Sequence, residues 1–227
     1  NRKQTMNTPA FRRTLLAEGV GTMFLLIGVV GSGIMAQRLS PNDVGLQLFQ
    51  NAAATAAVLV AIISIFGTIS ADFNPAVTIG AWALGHREGR QVAPMVVAQI
   101  VGGAIGSMLA NLMFDLPAVV WSTTERSSSN LWLSEVVATV GLLLVVFSLV
   151  RTARLSAIPY VVGAYIGGAY YFTSSTSFAN PAVTLARTLS DTFAGIACSS
   201  APMFIAMQLV GVAIAIALIR QLFPQQD

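Results

Sequence analysis

The chain has 227 residues, 55% of them hydrophobic and only 9% charged, with a formal net charge of +3 and a mean hydropathy of +0.74. That balance excludes an ordinary soluble domain. The positive charges are scattered over short loops and form no single stripe, which excludes nucleic acid as a partner. The one cysteine, Cys198, forbids an intrachain disulfide and reads as a small buried or loop residue.

A bilayer crossing needs about 20 apolar residues. Spans are expected at 14–36, 46–69, 92–114, 131–150, 157–173 and 201–222. The first run is long enough to span and lacks a signal-cleavage site, so it reads as a true span, with Met6 as the candidate natural start. Between the second and third spans lies a short run, 76–84, and between the fifth and sixth another, 182–190. Neither can cross.

Each short run opens with nearly the same motif. The first reads Phe73-Asn74-Pro75-Ala76-Val77-Thr78 and the second Ala179-Asn180-Pro181-Ala182-Val183-Thr184. Asn is a strong helix N-cap, and Pro suits the first helical position because its missing N–H would be unbonded there. Both runs therefore read as half-helices that enter the membrane and stop. Broken backbone at membrane depth must be enclosed by protein or line a cavity, so the pair marks a pore. Asn74 and Asn180 are expected to cap their helices and donate amide hydrogens into the lumen.

The duplication extends further. Glu18 early in the first span matches Glu135 in the fourth, and Gln99 in the third matches Gln208 in the sixth. Repeat 1 covers about 11–114 and repeat 2 about 131–223 of a single channel domain, 1–227. Three spans per half is an odd number, so the halves insert in opposite senses. The expected fold is an all-α membrane protein with six transmembrane helices and two re-entrant half-helices in a 3+3 inverted repeat. With both termini cytoplasmic, nine Lys or Arg lie inside (Arg2, Lys3, Arg12, Arg13, Arg87, Arg90, Arg151, Arg154, Arg220) and three outside (Arg38, Arg126, Arg187).

Other polar residues read more plainly. Asp72, two residues before Asn74, is expected to bond loop amides, or else to make the inner vestibule negative. His86 reads as a loop residue at the inner end of the first half-helix. Ser174, Ser175 and Ser177 shape the loop into the second motif, and Gly102, Gly103 and Gly106 form a close helix-packing face. The sequence has no metal-ligand cluster, phosphate loop or nucleophile triad, so neither an enzyme nor a cofactor is expected.

Paired Asn-Pro-Ala motifs, the two Glu residues and the inverted repeat resemble the aquaporin and aquaglyceroporin family from Phe11 to Phe223. The resemblance implies a homotetramer in the lipid bilayer, with one pore per subunit for water or small neutral solutes. It makes Glu18 and Glu135 scaffold carboxylates that accept hydrogen bonds from the re-entrant loops. The branch it suggests is bacterial and associated with arsenic handling, in the inner membrane. Most members carry arginine directly after the second Ala; here Val183 stands there.

The other filter positions implied are Thr55 or its neighbour Ala54, Ser177, and a residue from Gly168 to Tyr170, with Tyr170 taken. They predict a constriction mainly of small residues, wide enough for glycerol-like polyols or undissociated arsenite, with weakened charge selectivity. Arg187 lies one helical turn, about 6 Å, beyond Val183 on the same face. It is expected either to lean back as an outer filter residue or to face headgroups and the loop near Asp191. The competing class is an ion- or proton-coupled transporter, whose intramembrane charges would have to come from Glu18, Glu135 or Asp72.

Overall fold

The computed structural model describes residues 8–224. The candidate start at Met6, and Arg2 and Lys3 among the charges expected inside, lie outside the described residues. The elements are α1 (Pro9–Leu39), α2 (Val44–Phe66), α3 (Pro75–Ala83), α4 (Gly89–Met113), α5 (Ser129–Arg151), α6 (Ile158–Phe172), α7 (Pro181–Ala186) and α8 (Ala201–Leu222). Among them α1, α2, α4, α5 and α8 are long and apolar enough to cross a membrane. Helix α6 has 15 residues, and a 3₁₀ turn at Leu155–Ala157 directly precedes it.

Local chemistry moves several boundaries from their expected places. Helix α1 starts at Pro9 because the Thr8 hydroxyl accepts from the Phe11 amide at 3.3 Å and proline fills the first position. Helix α2 ends at Phe66, where Gly67 closes the last turn onto the Ile63 carbonyl at 2.8 Å and the chain turns away. Helix α7 stops at Ala186 and tightens into a 3₁₀ turn over Arg187–Leu189.

The packing follows the duplication. Helix α1 lies along α4 as α5 lies along α8, and α2 meets α6 across the two halves. Both half-helices pack against α4 and α8 in the interior. Polarity is inverted relative to a water-soluble protein. Glu18, Gln99, Glu135 and Gln208 are fully buried, whereas Phe49, Ile65, Val97, Leu133 and Leu222 are exposed on the outer faces. An apolar exterior of this kind is stable only against lipid.

Helices α1 and α4 touch backbone to backbone. A Cβ on Gly102 would sit 2.0 Å from the Gly19 carbonyl oxygen, and one on Gly106 would sit 2.3 Å from that of Met23. No rotamer change relieves a clash with backbone, so these positions fix the interaxial distance. Gly102→Val should cost about 1–3 kcal/mol or more, read as a lower unfolding temperature in detergent. An unchanged melting curve would contradict this packing.

Candidate functional site

The two half-helix N-termini meet head to head, each bonded to the other's entry loop. Asn74 and Asn180 are extended (φ −159° and −158°) and cap α3 and α7. The Asn74 Oδ1 accepts from the Ala76 amide at 2.9 Å, and the Asn180 Oδ1 from the Ala182 and Val183 amides at 3.0 and 3.2 Å. Each Nδ2 then crosses over. Asn74 donates to the Ala179 carbonyl at 2.7 Å, and Asn180 donates to the Phe73 carbonyl at 2.8 Å. An amide nitrogen has two hydrogens, so one remains on each Asn. Both Asn residues line the central cavity.

The carbonyls used in that exchange point inward because their residues are left-handed. Phe73 has φ 48° and Ala179 φ 46°, a region that disfavours side chains bearing Cβ by about 1–2 kcal/mol. Buried carboxylates hold both loops there. Glu18 accepts from the Asp72 and Phe73 amides at 2.9 and 2.7 Å and from the Ser70 hydroxyl at 2.5 Å. Glu135 accepts from the Phe178 and Ala179 amides, both at 2.9 Å. Gln99 donates to Glu18 at 2.8 Å and to the Thr78 hydroxyl at 2.9 Å; Gln208 donates to Glu135 at 2.6 Å and to Thr184 at 2.9 Å. The Glu–Gln–Thr triangle thus occurs twice, once behind each half-helix.

The cavity has a volume of about 800 Å³ and runs from the loop after α3 to Arg187. It is walled in part by apolar side chains such as Leu25, Leu59, Val77, Leu142 and Ile166. Thr55, Tyr170, Ser177 and Val183 all border it, while Ala54 and Gly168 do not. The Thr55 and Tyr170 hydroxyls lie 3.1 Å apart, joining α2 to α6. The lining is not made mainly of small residues, because the Tyr170 phenol and the Arg187 guanidinium share it. Arg187 is only 2% exposed and does not face headgroups. Its Nε donates to the Ala194 carbonyl, and its guanidinium lies 3.5 Å from the Phe178 ring centroid. Asp191 bonds Thr123 instead, at 2.9 Å to its amide.

At the opposite mouth Asp72 bonds no loop amide through its side chain. It accepts from the Thr78 hydroxyl at 2.9 Å and forms a two-pronged ion pair with Arg87, Nε to Oδ2 and Nη2 to Oδ1, both 2.8 Å. Its charge is therefore matched rather than lent to the vestibule. Arg87 also donates to Ser70 at 3.0 Å, tying this pair to the Glu18 network. His86 borders the cavity and stacks on Phe147 with centroids 6.0 Å apart. Burial, and then the charge of Arg151, hold its imidazole below the ordinary value. Cys198 is an exposed, free loop residue.

Sequence reasoning missed Arg87 as the partner of Asp72, because the two meet only when α3 folds back. It also missed Phe178 as a platform, which has no signature in the chain.

Apolar-faced helices closed around a lined cavity, with two half-helices meeting inside it, define a membrane channel. The Major intrinsic protein family model matches residues 5–175. Aquaglyceroporin AqpS of Rhizobium meliloti is 46% identical over 211 residues, covering 92% of this chain and 90% of that protein. Aquaporin Z of Photorhabdus laumondii is 31% identical over 119 residues, 52% of this chain and 51% of that one. The X-ray structure of the aquaglyceroporin from Plasmodium falciparum superposes with a TM-score of 0.75 over 94% of this chain and 97% of that chain. At 19% identity that likeness speaks for the fold. The chain belongs to the major intrinsic protein family, and it is a membrane channel for water and small solutes.

Replacing a buried carboxylate here leaves two loop amides without an acceptor, at about 1–3 kcal/mol each. Glu135→Leu should therefore lower the folded yield and the unfolding temperature, and Glu18→Leu should do the same. A Glu135→Leu protein as stable as the parent, but altered in proton flux, would instead make the carboxylate a relay.

Proposed function

We propose that this chain is a passive pore through which water and small uncharged solutes pass in single file by their oxygen atoms. The observation that carries this reading is the pair of Asn amides on the cavity wall. Each spends one hydrogen on the opposite loop and keeps one for a passing acceptor. A solute oxygen between them accepts from both, while a cation meets two positive helix ends and the loss of its hydration shell.

Coupled transport is the weaker reading. Glu18 and Glu135 are occupied by loop amides and glutamines, and Asp72 is paired with Arg87. Among the described residues that leaves no carboxylate at the lumen free to hold a coupling ion.

Thr55, Ser177, Val183 and Tyr170 are the proposed filter, and Val183 keeps the lumen open where a bulky donor would narrow it. The solutes proposed beyond water are glycerol-like polyols and undissociated metalloid acids such as arsenite. The 46% identical relative named an aquaglyceroporin lends support. The working unit is taken as a homotetramer in a bacterial inner membrane with both termini cytoplasmic, following the bias of Arg and Lys.

Stopped-flow light scattering on proteoliposomes tests this reading with water, glycerol and arsenite gradients. Flux should rise linearly with solute concentration and ignore proton and sodium gradients. Val183→Arg should cut glycerol and arsenite flux about tenfold while retaining water. Saturable, gradient-driven uptake would overturn the channel mechanism, and a wild type that passes water alone would overturn the solute range.

A further inference from the structure

The two ends of the lumen treat an arginine differently. Asp72 and Phe178 occupy matching places, each two residues before its motif asparagine. At the inner mouth Asp72 takes Arg87 in a two-pronged ion pair at 2.8 Å. At the other end Phe178 takes Arg187 by its ring, 3.5 Å from the guanidinium carbon. A second arginine, Arg126, lies 5.1 Å from the same centroid and donates through Nε to the Gly195 carbonyl at 3.0 Å. Among the described residues no carboxylate lies within ion-pairing distance of Arg187 or Arg126. The carboxylate that acts electrostatically on both arginines, Glu135, is held by the Phe178 and Ala179 amides and by Gln208, while Glu125 accepts from Ser199 and Ser200 and Asp191 from Thr123.

Arg187 is 2% exposed, yet it borders the cavity. Its Nε bonds Ala194, and no protein acceptor among the described residues takes its Nη groups. A guanidinium buried without a counter-ion is costly, and an aromatic face offsets part of that without cancelling the charge. Its positive charge, only partly offset by Glu135, therefore acts on whatever enters the lumen.

We infer that Arg187, carried on Phe178, is the charge-bearing specificity residue of this pore and makes its outer end, but not its inner end, a barrier to protons and other cations. Its Nη groups supply donors to the hydroxyl oxygens of a neutral solute. Phe178 is a positioning residue, holding the guanidinium at the wall. Val183 sets the width of the lumen and Arg187 sets its charge, so a wide filter need not leak cations. This inference rests on the channel reading above.

The test measures water permeability and proton flux in the same proteoliposomes, using light scattering and an enclosed pH-sensitive dye. The proteins compared are wild type, Arg187→Leu, Arg187→Gln, Arg187→Lys and Phe178→Leu. Wild type should conduct water with proton flux near that of empty vesicles. Arg187→Leu and Arg187→Gln should raise the ratio of proton to water flux about tenfold or more, the scale on which a charged cleft alters local ion concentration. Arg187→Lys should hold the ratio low, and Phe178→Leu should fall between. Arg187→Gln keeps a donor for Ala194 while removing the charge together with the Nη groups, so it decides the matter if the leucine variant does not fold. Water-conducting Arg187→Gln with the wild-type ratio would overturn the inference and leave the channel intact. Wild-type vesicles no more permeable to water than empty ones would instead overturn the channel reading itself.

Discussion

The reciprocal bond between each motif asparagine and the loop before the other motif is the constraint on which the rest depends. It joins residues more than a hundred positions apart, Asn74 to Ala179 and Asn180 to Phe73. It exists only if both carbonyls turn inward, which requires the left-handed backbone at Phe73 and Ala179. That backbone is held by the buried carboxylates Glu18 and Glu135, which are fixed in turn by Gln99 and Gln208 on the facing helices. The chain of dependence runs from helix packing to carboxylate, to strained loop, to lumen donor. Within this buried network the carboxylates and both glutamine nitrogens are bonded, whereas the Gln99 and Gln208 side-chain oxygens find no partner among the described residues.

The same logic explains why intramembrane acids here are structural. A carboxylate that receives three or four hydrogen bonds from fixed donors has little capacity left for an ion. Function passes to the groups those acids position, the two amides and the backbone carbonyls at the centre of a cavity of about 800 Å³. Duplication gives the centre near-symmetry, while the ends diverge. One mouth holds a matched Asp72–Arg87 pair, and the other holds arginines on an aromatic ring. A passage symmetric in its middle and asymmetric at its ends can serve neutral solutes in both directions while presenting charge on one side.

Much of this was legible in the sequence, for identifiable reasons. Asn-Pro carries its own helix start, so α3 and α7 follow from local chemistry, and hydropathy suffices for spans that face lipid. Glu18, Glu135, Gln99 and Gln208 stood out because a polar residue in an apolar run is rare and these recur in order. What was not legible depends on folding back through space. Asp72 meets Arg87 only after α3 reverses the chain, and no local pattern distinguishes that pair from a solvated acid. Phe178 is one apolar residue among many until Arg187 lies across it. Val183 suggested a constriction without charge, and the sequence left Arg187 either at the filter or among headgroups; in the structure it is buried and borders the cavity. Helix α6, Ile158–Phe172, falls within one residue of its expected span 157–173 at each end.

The central claim is that crossed asparagine amides, held by strained loops, form the neutral-solute passage. The most direct measurement is proton flux relative to water flux through vesicles bearing Asn180→Asp. Aspartate keeps the cap oxygen for the Ala182 amide but loses the hydrogen donated to the Phe73 carbonyl, and it places negative charge at the helix end. The account predicts that the ratio of proton to water flux rises by about tenfold or more in protein that remains folded. A folded variant with the wild-type ratio would contradict it.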